Sequence, residues 1–455
     1  PLPADPMFIL CLFLIVFPPK PAVLPAMPAL VYAGSMQPTP GSEHGTEPEV
    51  SLRPIRTDES NPFAHYTVLK RLPGVLDELL EGESRLSVRQ REAVSRLRAE
   101  LVEDRPLSMF SPPAPDWDFW QRRFQAHEAR MAELSDAPVS PRNAEWFFFE
   151  HFLYRKLLSA TDWWANGIDP FLPAKRRELS GEALWHTLGR TLQAVGRSGG
   201  SGEAVDALRL LSSFALWGNR IDLSYSAAAA LGQDDSDASS LLADELDRAR
   251  PYLEESPWSH RPVHLVADNA ATELAADLAL CDHLLGTGER EVFLHVKLHP
   301  TYVSDATPAD VYELVEAMKR CGVGHGQELI RELGARLEGY VAEGRLRIVP
   351  DQFWNGPDCF DALPERLRRP FSEAALVVLK GDMNYRRLVG DVIPEPSAPL
   401  GTVAPRVPAV ILLIRTMKGD PVAGLDAELV RSVEAEDPQW RVSGRRGLIQ
   451  LLVAG

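Results

Sequence analysis

Five short apolar runs in the second half of the chain each end in polar or charged residues. Val263-His264-Leu265-Val266 leads into Asp268-Asn269, and Val292-Phe293-Leu294-His295-Val296 leads into Lys297 and then Ser304-Asp305. Leu346-Arg347-Ile348-Val349 leads into Asp351 and Trp354, Leu376-Val377-Val378-Leu379 into Lys380-Gly381-Asp382, and Val410 to Ile414 into Arg415-Thr416-Met417-Lys418. Short apolar runs closed by Gly or polar clusters read as buried strands emptying into loops. Between the earlier runs, Glu273 to Leu285 and Pro308 to Arg320 carry helical periodicity, so the strands are expected to be parallel. In a parallel sheet these polar endings share the carboxyl edge, where α/β proteins bind ligands. The pattern predicts a Rossmann-like α/β region, a largely parallel sheet flanked by helices, with its site on that edge. Gly444 to Val453 adds a last strand, whose Gly-Arg-Arg-Gly entry suggests a hairpin or edge position.

The first half is helical in pattern. Ser87-Val88-Arg89-Gln90 fits a capping box, and Val94, Leu97 and Leu101 continue its apolar stripe. Residues 144–158, crowded with aromatics, require a mostly buried helix, in which Glu150 and Arg155 read as a buried pair or part of a pocket wall. Helical patterns also run over Gly181 to Val195, Glu203 to Leu216 and Leu241 to Arg250, with an acidic exposed loop over Asp234 to Ser240. Gly199-Gly200-Ser201-Gly202 is a turn: it lacks the Gly-Lys-Ser/Thr ending of a phosphate cradle and follows no strand. The expected organisation is thus an N-terminal tail over residues 1–50, a helical N-terminal region over 51–255 and the α/β region over 256–455.

Length and composition bound the rest. With 455 residues, 45% apolar and 25% charged, the chain reads as a globular protein of more than one ordinary core. A formal charge of −16 argues against a partner that is duplex DNA or an anionic membrane, so any positive site must be local. Cys11, Cys281, Cys321 and Cys359 stand far apart with no Cys-x-x-Cys, which points to free thiols in a reducing compartment. Met7 to Phe17 is apolar but short of the roughly 20 residues that span a bilayer. The Pro-rich segment behind it reads as a disordered tail or as translated sequence ahead of a start near Met36, and the expected location is cytoplasmic.

The polar endings also carry a resemblance. Asp268-Asn269-Ala270-Ala271-Thr272-Glu273-Leu274, Val303-Ser304-Asp305, Lys380-Gly381-Asp382-Met383-Asn384-Tyr385-Arg386 and Arg415-Thr416-Met417-Lys418 resemble the damage-control phosphatase family, in its sugar-phosphate phosphatase branch. Asn61-Pro62-Phe63 with Arg71-Leu72-Pro73, and Trp146-Phe147-Phe148-Phe149-Glu150, agree with it in the same order. The resemblance implies a metal-dependent phosphatase acting on hexose phosphates such as fructose 1-phosphate or fructose 6-phosphate, a small-molecule partner. It implies metal and catalytic roles for Asp268, Asn269 and Asp305, and substrate contacts for Asp382, Met383, Asn384, Tyr385, Arg386 and Lys418.

Physical chemistry is consistent with those roles. Two carboxylates and an amide oxygen suit Mn2+, Ni2+, Co2+ or Mg2+, whereas zinc more often recruits His or Cys. Arg386 would clamp phosphoryl oxygens as a fork and Lys418 as a point charge. Asp382 and Asn384 would bond sugar hydroxyls, with Met383 and Tyr385 shaping the pocket. Arg387 reads as a surface residue, and Glu273 either orients ligands or favours a helix start. The chain departs from the family where Ala270-Ala271 replace Ser-Gly and His299-Pro300-Thr301-Tyr302 replace Ile-Pro-Trp-Phe. Two other classes are weighed: an S-adenosylmethionine-dependent methyltransferase of protein carboxylates, which the missing Gly-rich turn after the first strand disfavours, and a non-catalytic sugar-phosphate binder, which would not need Asp268, Asn269 and Asp305.

Overall fold

The computed structural model describes residues 52–82, 85–112, 114–196, 206–218, 240–286, 289–322 and 326–453. The expectations for residues 1–50, for the turn at 199–202 and for the loop at 234–239 lie outside the described residues. Residues 52–455 form one compact unit.

Helices fill its N-terminal half: α1 (Leu72–Glu81), α2 (Val88–Val102), α3 (Trp117–Ala132), α4 (Trp146–Ala160), α5 (Leu172–Leu179), α6 (Glu182–Gly196) and α7 (Ala207–Trp217). The capping box at Ser87 forms as the sequence requires, with Gln90 N–H donating to Ser87 Oγ and Ser87 N–H to Gln90 Oε1. In α4 twelve side chains are buried. Phe149, Leu153 and Leu157 pack on α1 and α2, while Phe148 and Phe152 join Trp120 and Phe124 of α3. The Glu150–Arg155 pair does not form. Arg155 makes two bonds of 2.5 Å to Asp116, and Glu150 lies 3.3 Å from Arg386, because residues five apart in a helix leave by different faces.

Among the described residues, seven strands build one sheet: β1 (Leu241–Asp244), β2 (Val263–Val266), β3 (Val292–Lys297), β4 (Leu346–Asp351), β5 (Leu376–Lys380), β6 (Ile411–Thr416) and β7 (Gly447–Leu452), in the order β1-β7-β6-β5-β2-β3-β4. The five strands read from sequence, β2 to β6, are mutually parallel. The last strand, β7, pairs antiparallel with β6 but is not an edge, because β1 covers its other side. That covering strand is a correction: the helix expected over Leu241 to Arg250 starts only at Leu246, and β1 joins the sheet from before the expected boundary at 255.

Alternation along the strands assigns the two faces. Val263 and Leu265, Val292 and Leu294, Leu376 and Val378 point into one core, shared with α6, α7, α8 (Thr272–Gly286), α9 (Pro308–Lys319) and α10 (Gln327–Ala342). Val266, Val377, Leu379, Ile411 and Leu413 point into the other, against α11 (Glu365–Glu373) and α12 (Gly381–Val389). Burial on both faces explains why these strands read as continuous apolar runs. From β2 the chain winds outward through β3 and β4, then returns to place β5 on the other side of β2. The reversal puts the crevice between the ends of β2 and β5, where open α/β sheets take their ligands. Among the described residues, no helix is long and apolar enough to cross a membrane.

Candidate functional site

Asp268 and Asn269 leave the carboxyl end of β2, and Asn269 pairs antiparallel with Asp305 behind β3. Ala270 N–H donates to Ser304 O at 2.7 Å and Ala306 N–H to Asp268 O at 2.9 Å. These bonds bring the three predicted oxygen donors onto paired backbone. Both carboxylates are buried. Burial first, then repulsion from Asp305 and Glu273, raises the Asp268 carboxyl well above its ordinary range. Burial also raises Asp305, against the pull of Lys297 and Lys175. Lys297 Nζ stands 3.2 Å from Asp305 Oδ2 and donates to Trp354 O at 3.0 Å. Lys175 Nζ donates to Asp305 O at 2.9 Å and to Asp310 at 2.8 Å, pinning the loop from below.

Asn269 is oriented from three sides. Its Nδ2 donates to Asp268 Oδ2 at 3.2 Å and to Glu273 Oε1 at 3.0 Å, and its Oδ1 accepts from Ser304 Oγ at 2.6 Å. Glu273 lies in the first turn of α8 and holds the Asn269 amide from there. Turning the amide over would let Nδ2 donate to Ser304 Oγ and aim Oδ1 at the carboxylates, since Ser304 serves either orientation.

Across the crevice, Gly381 follows the end of β5 and opens α12. Its φ is +84°, and a Cβ there would stand 1.9 Å from Asp268 Oδ2 and 2.7 Å from Asp268 Cβ. Only glycine permits this backbone conformation and this closeness together. The polar pocket so formed is lined by Asp268, Glu273, Lys380, Gly381, Asp382, Thr416 and Lys418, with Ala215 and Leu216 of α7 as its apolar side.

The remaining predicted residues divide. Lys418 is exposed and lines the pocket. Asp382 lines it too, held by Arg415 at 2.9 and 2.6 Å and by the Lys418 N–H at 3.2 Å. Met383 is buried beside it in α12. Asn384 does not face the pocket: its amide donates to Lys380 O at 2.8 Å and Ala267 O at 3.3 Å, tying α12 to the ends of β5 and β2. Tyr385 is buried under Arg415, its hydroxyl accepting from Ala423 N–H at 3.0 Å. Arg386 is not among the pocket's lining residues. It is bound to Asp391 at 2.6 and 3.2 Å and to Glu150 at 3.3 Å, over the ring of Trp146 at 3.8 Å. Lys380 is paired with buried Asp277 at 2.8 Å, whose carboxyl burial pushes up to about 6.

Arg387, expected at the surface, is fully buried and donates to Gly356 O at 2.8 Å and His151 Nε2 at 2.9 Å. The paired carbonyls and imidazole offset a desolvation that an unpartnered guanidinium could not bear. Sequence reasoning gave no role to Arg415, Lys297 or Ser304. Their signal was position, since each closes a strand or stands beside a predicted ligand. From the N-terminal half, Asn61 caps the helix Pro62–Tyr66 through Ala64 N–H at 2.7 Å and donates to Asp420 at 2.8 Å, two residues past Lys418.

Among the described residues, no group of three or more His, Cys, Asp or Glu side chains is gathered to hold an ion. The expected set contains two carboxylates and one amide. Asp305 Oδ2 is buried without an aligned hydrogen bond, and the only donor placed on Asp268, among the described residues, is the Asn269 amide. Oxygen donors left under-satisfied in a buried acidic pocket fit a hard divalent cation.

Comparison with known proteins identifies the family. Residues 67–433 match the family model described as the damage-control phosphatase ARMT1-like domain. Damage-control phosphatase ARMT1 of Rattus norvegicus is 28% identical over 443 residues, covering 87% of this chain and 97% of the relative. The Homo sapiens protein is 26% identical over 436 residues, covering 85% and 96%. A crystal structure of a DUF89 family protein from Pyrococcus horikoshii aligns over 85% of this chain and 97% of its own, at 14% identity and a TM-score of 0.42. With most of its length matched in one continuous span, the chain belongs to the ARMT1-like damage-control phosphatase family.

Proposed function

We propose that the chain is a divalent-metal-dependent phosphatase that hydrolyses sugar phosphates, hexose phosphates such as fructose 1-phosphate or fructose 6-phosphate among them. The observation that carries this reading is the charge balance of the pocket. With all of them ionised, Asp268 and Glu273 on the pocket and Asp305, paired to Asn269, bring three negative charges, which burial opposes at Asp268 and Asp305, against two positive ones from Lys297 and Lys418, while Lys380 and Arg415 are matched by Asp277 and Asp382. The remainder, one negative charge, would repel a phosphomonoester of about −1.5 to −2. A divalent ion on Asp268, Asn269 and Asp305 reverses that sign.

When bound, Mn2+, Ni2+, Co2+ or Mg2+ would supply Lewis acidity toward a phosphoryl oxygen and toward water. The chain's own residues do the rest. Lys418, an exposed point charge on the pocket's lining, binds a phosphate oxygen and neutralises charge that develops on the leaving side. Asp382, fixed by Arg415, presents its other oxygen to a sugar hydroxyl. Glu273 and Ser304 fix the Asn269 amide, and Lys297 and Lys175 hold Asp305 from its side chain and its backbone. Ala215 and Leu216 limit water on the apolar side. Arg386, enclosed by Asp391, Glu150 and Trp146, anchors α12 to α4. The free thiols of Cys281, Cys321 and Cys359 favour a reducing compartment, and we place the activity in the cytoplasm.

The test is release of phosphate from hexose and pentose phosphates by the purified chain, with each of the four metals and with chelator. Release should require metal and should vanish in Asp268→Ala. No release with any metal, or an Asp268→Ala protein as active as the parent, would refute the proposal.

A further inference from the structure

Three residues before Asp305, the chain carries two successive non-glycine residues in the left-handed region, Tyr302 (φ +49°) and Val303 (φ +68°). For a β-branched residue such as Val303 this conformation is a true outlier, and strain of this kind persists only where the surroundings enforce it. Here it is enforced by the antiparallel pairing of Asn269 with Asp305 and by the Lys175 bond to Asp305 O. The result turns the Tyr302 ring away from the strand and onto α4, edge-on to His151 at 5.0 Å and tilted against Tyr154 at 4.8 Å.

The hydrogen bonds of His151 then decide which way the Tyr302 hydroxyl is used. Arg387 Nη2 lies 2.9 Å from His151 Nε2, and a guanidinium can only donate, so Nε2 carries a lone pair. The proton of the neutral ring is therefore on Nδ1. The Phe147 carbonyl 2.7 Å from Nδ1 can only accept, which requires the same tautomer. Tyr302 Oη is 2.9 Å from that same Nδ1, so it too must accept. Its own O–H proton is left over, and among the described residues no acceptor is placed for it. A half-buried phenol with an unspent proton lies within electrostatic reach of Glu150, Arg386 and Asp305. A donor with no protein acceptor is free to serve a ligand oxygen or water.

We propose that Tyr302 is a ligand-positioning residue: its O–H donates to an oxygen of the phosphorylated ligand held beside Asp305, and the Arg387–His151 pair fixes the hydroxyl in that donor role. The inference rests on the reading of this pocket as a sugar-phosphate site. It commits to hydrogen-bond donation to a ligand oxygen, on the phosphate or on the sugar.

Tyr302→Phe removes the hydroxyl and keeps the ring on Tyr154 and His151. In the full chain loaded with Mn2+, inorganic phosphate and fructose 6-phosphate are titrated calorimetrically into parent and variant, alongside thermal melts and steady-state hydrolysis. The thermal midpoint should be unchanged, because His151 Nδ1 keeps its bond to Phe147 O. Affinity for fructose 6-phosphate should fall about ten- to a hundredfold, the range for a charge-assisted bond. An equal fall for inorganic phosphate assigns the contact to the phosphate; an unchanged phosphate affinity assigns it to the sugar. Equal binding of both probes by parent and variant overturns the proposal. Binding that differs between the two while neither hydrolyses sugar phosphates would instead refute the phosphatase reading and leave Tyr302 as a ligand contact.

Discussion

Gly381→Ala separates the strain of a left-handed residue from the placement of Asp268. At φ +84° an L residue costs about 1–2 kcal/mol relative to glycine. In addition the new Cβ would start 1.9 Å from Asp268 Oδ2, where real Cβ contacts are essentially never under 3.0 Å. The carboxylate must withdraw by about 1 Å or more, a displacement of the size that lowers rates roughly a hundredfold at a reacting centre. Gly390 supplies the control, because its φ is +80° and a Cβ there meets nothing within 4 Å. Gly390→Ala should therefore lose about 1–2 kcal/mol in chemical denaturation, a fall of a few degrees in thermal midpoint, and Gly381→Ala should lose more, by about 1–3 kcal/mol for the displaced Asp268. Only Gly381→Ala should lose kcat for sugar-phosphate hydrolysis by about a hundredfold. If Gly381→Ala keeps parental kcat, or if Gly390→Ala loses as much, the argument that this glycine exists to admit Asp268 is refuted.

Other expectations follow from the same charges. Asp268→Asn should abolish hydrolysis yet raise the thermal midpoint in chelator, since it removes a buried carboxylate from beside Asp305 and Glu273; a lower midpoint in chelator would contradict the repulsion. The same variant should lose the midpoint gain that Mn2+ gives the parent. Lys418→Met should raise KM for sugar phosphates about tenfold while leaving the melt unchanged, because the side chain is exposed; an unaltered KM would remove Lys418 from the phosphate site. Buried His264 and His295 lie 2.8 Å apart, ring nitrogen to ring nitrogen, and burial lowers His264 from 6.5 to about 4. The unfolded chain binds the extra proton first, so stability present above pH 6.5 should be lost as pH falls toward 4, by on the order of 2–3 kcal/mol. Urea denaturation at several pH values should show that loss in the parent and a flatter curve in His264→Leu/His295→Leu; parallel curves would exclude the pair as its source.

The parallel strands were legible because both of their faces are covered, which writes them as unbroken apolar runs; β1 was not. Leu241-Leu242-Ala243-Asp244 is short, buries only Leu242, and precedes a true helix, so nothing in its period distinguishes it from that helix's first turn. Its assignment depends on β7, two hundred residues away, offering a free side. That Asp268, Asn269 and Asp305 stand at the ends of neighbouring strands was legible in the sequence, while their ion-binding role came only with the family resemblance; the Gly381 neighbour follows from the β2–β5 reversal. The basic residues were the harder problem. Lys380, Arg386, Arg387, Arg415 and Lys418 look alike in sequence, yet four of them are buried, three against the carboxylates of Asp277, Asp391 and Asp382 and one against carbonyls and His151. A chain with sixteen more acidic than basic residues has carboxylates to spare, and a cation buried near one is paired before any ligand arrives. Of these five, Lys418 alone reaches the pocket unburied, so the positive charge a phosphate would meet cannot be counted from a motif. It has to be counted after the internal pairs are subtracted, and what then remains, one exposed lysine, is why the proposed reading calls for a metal.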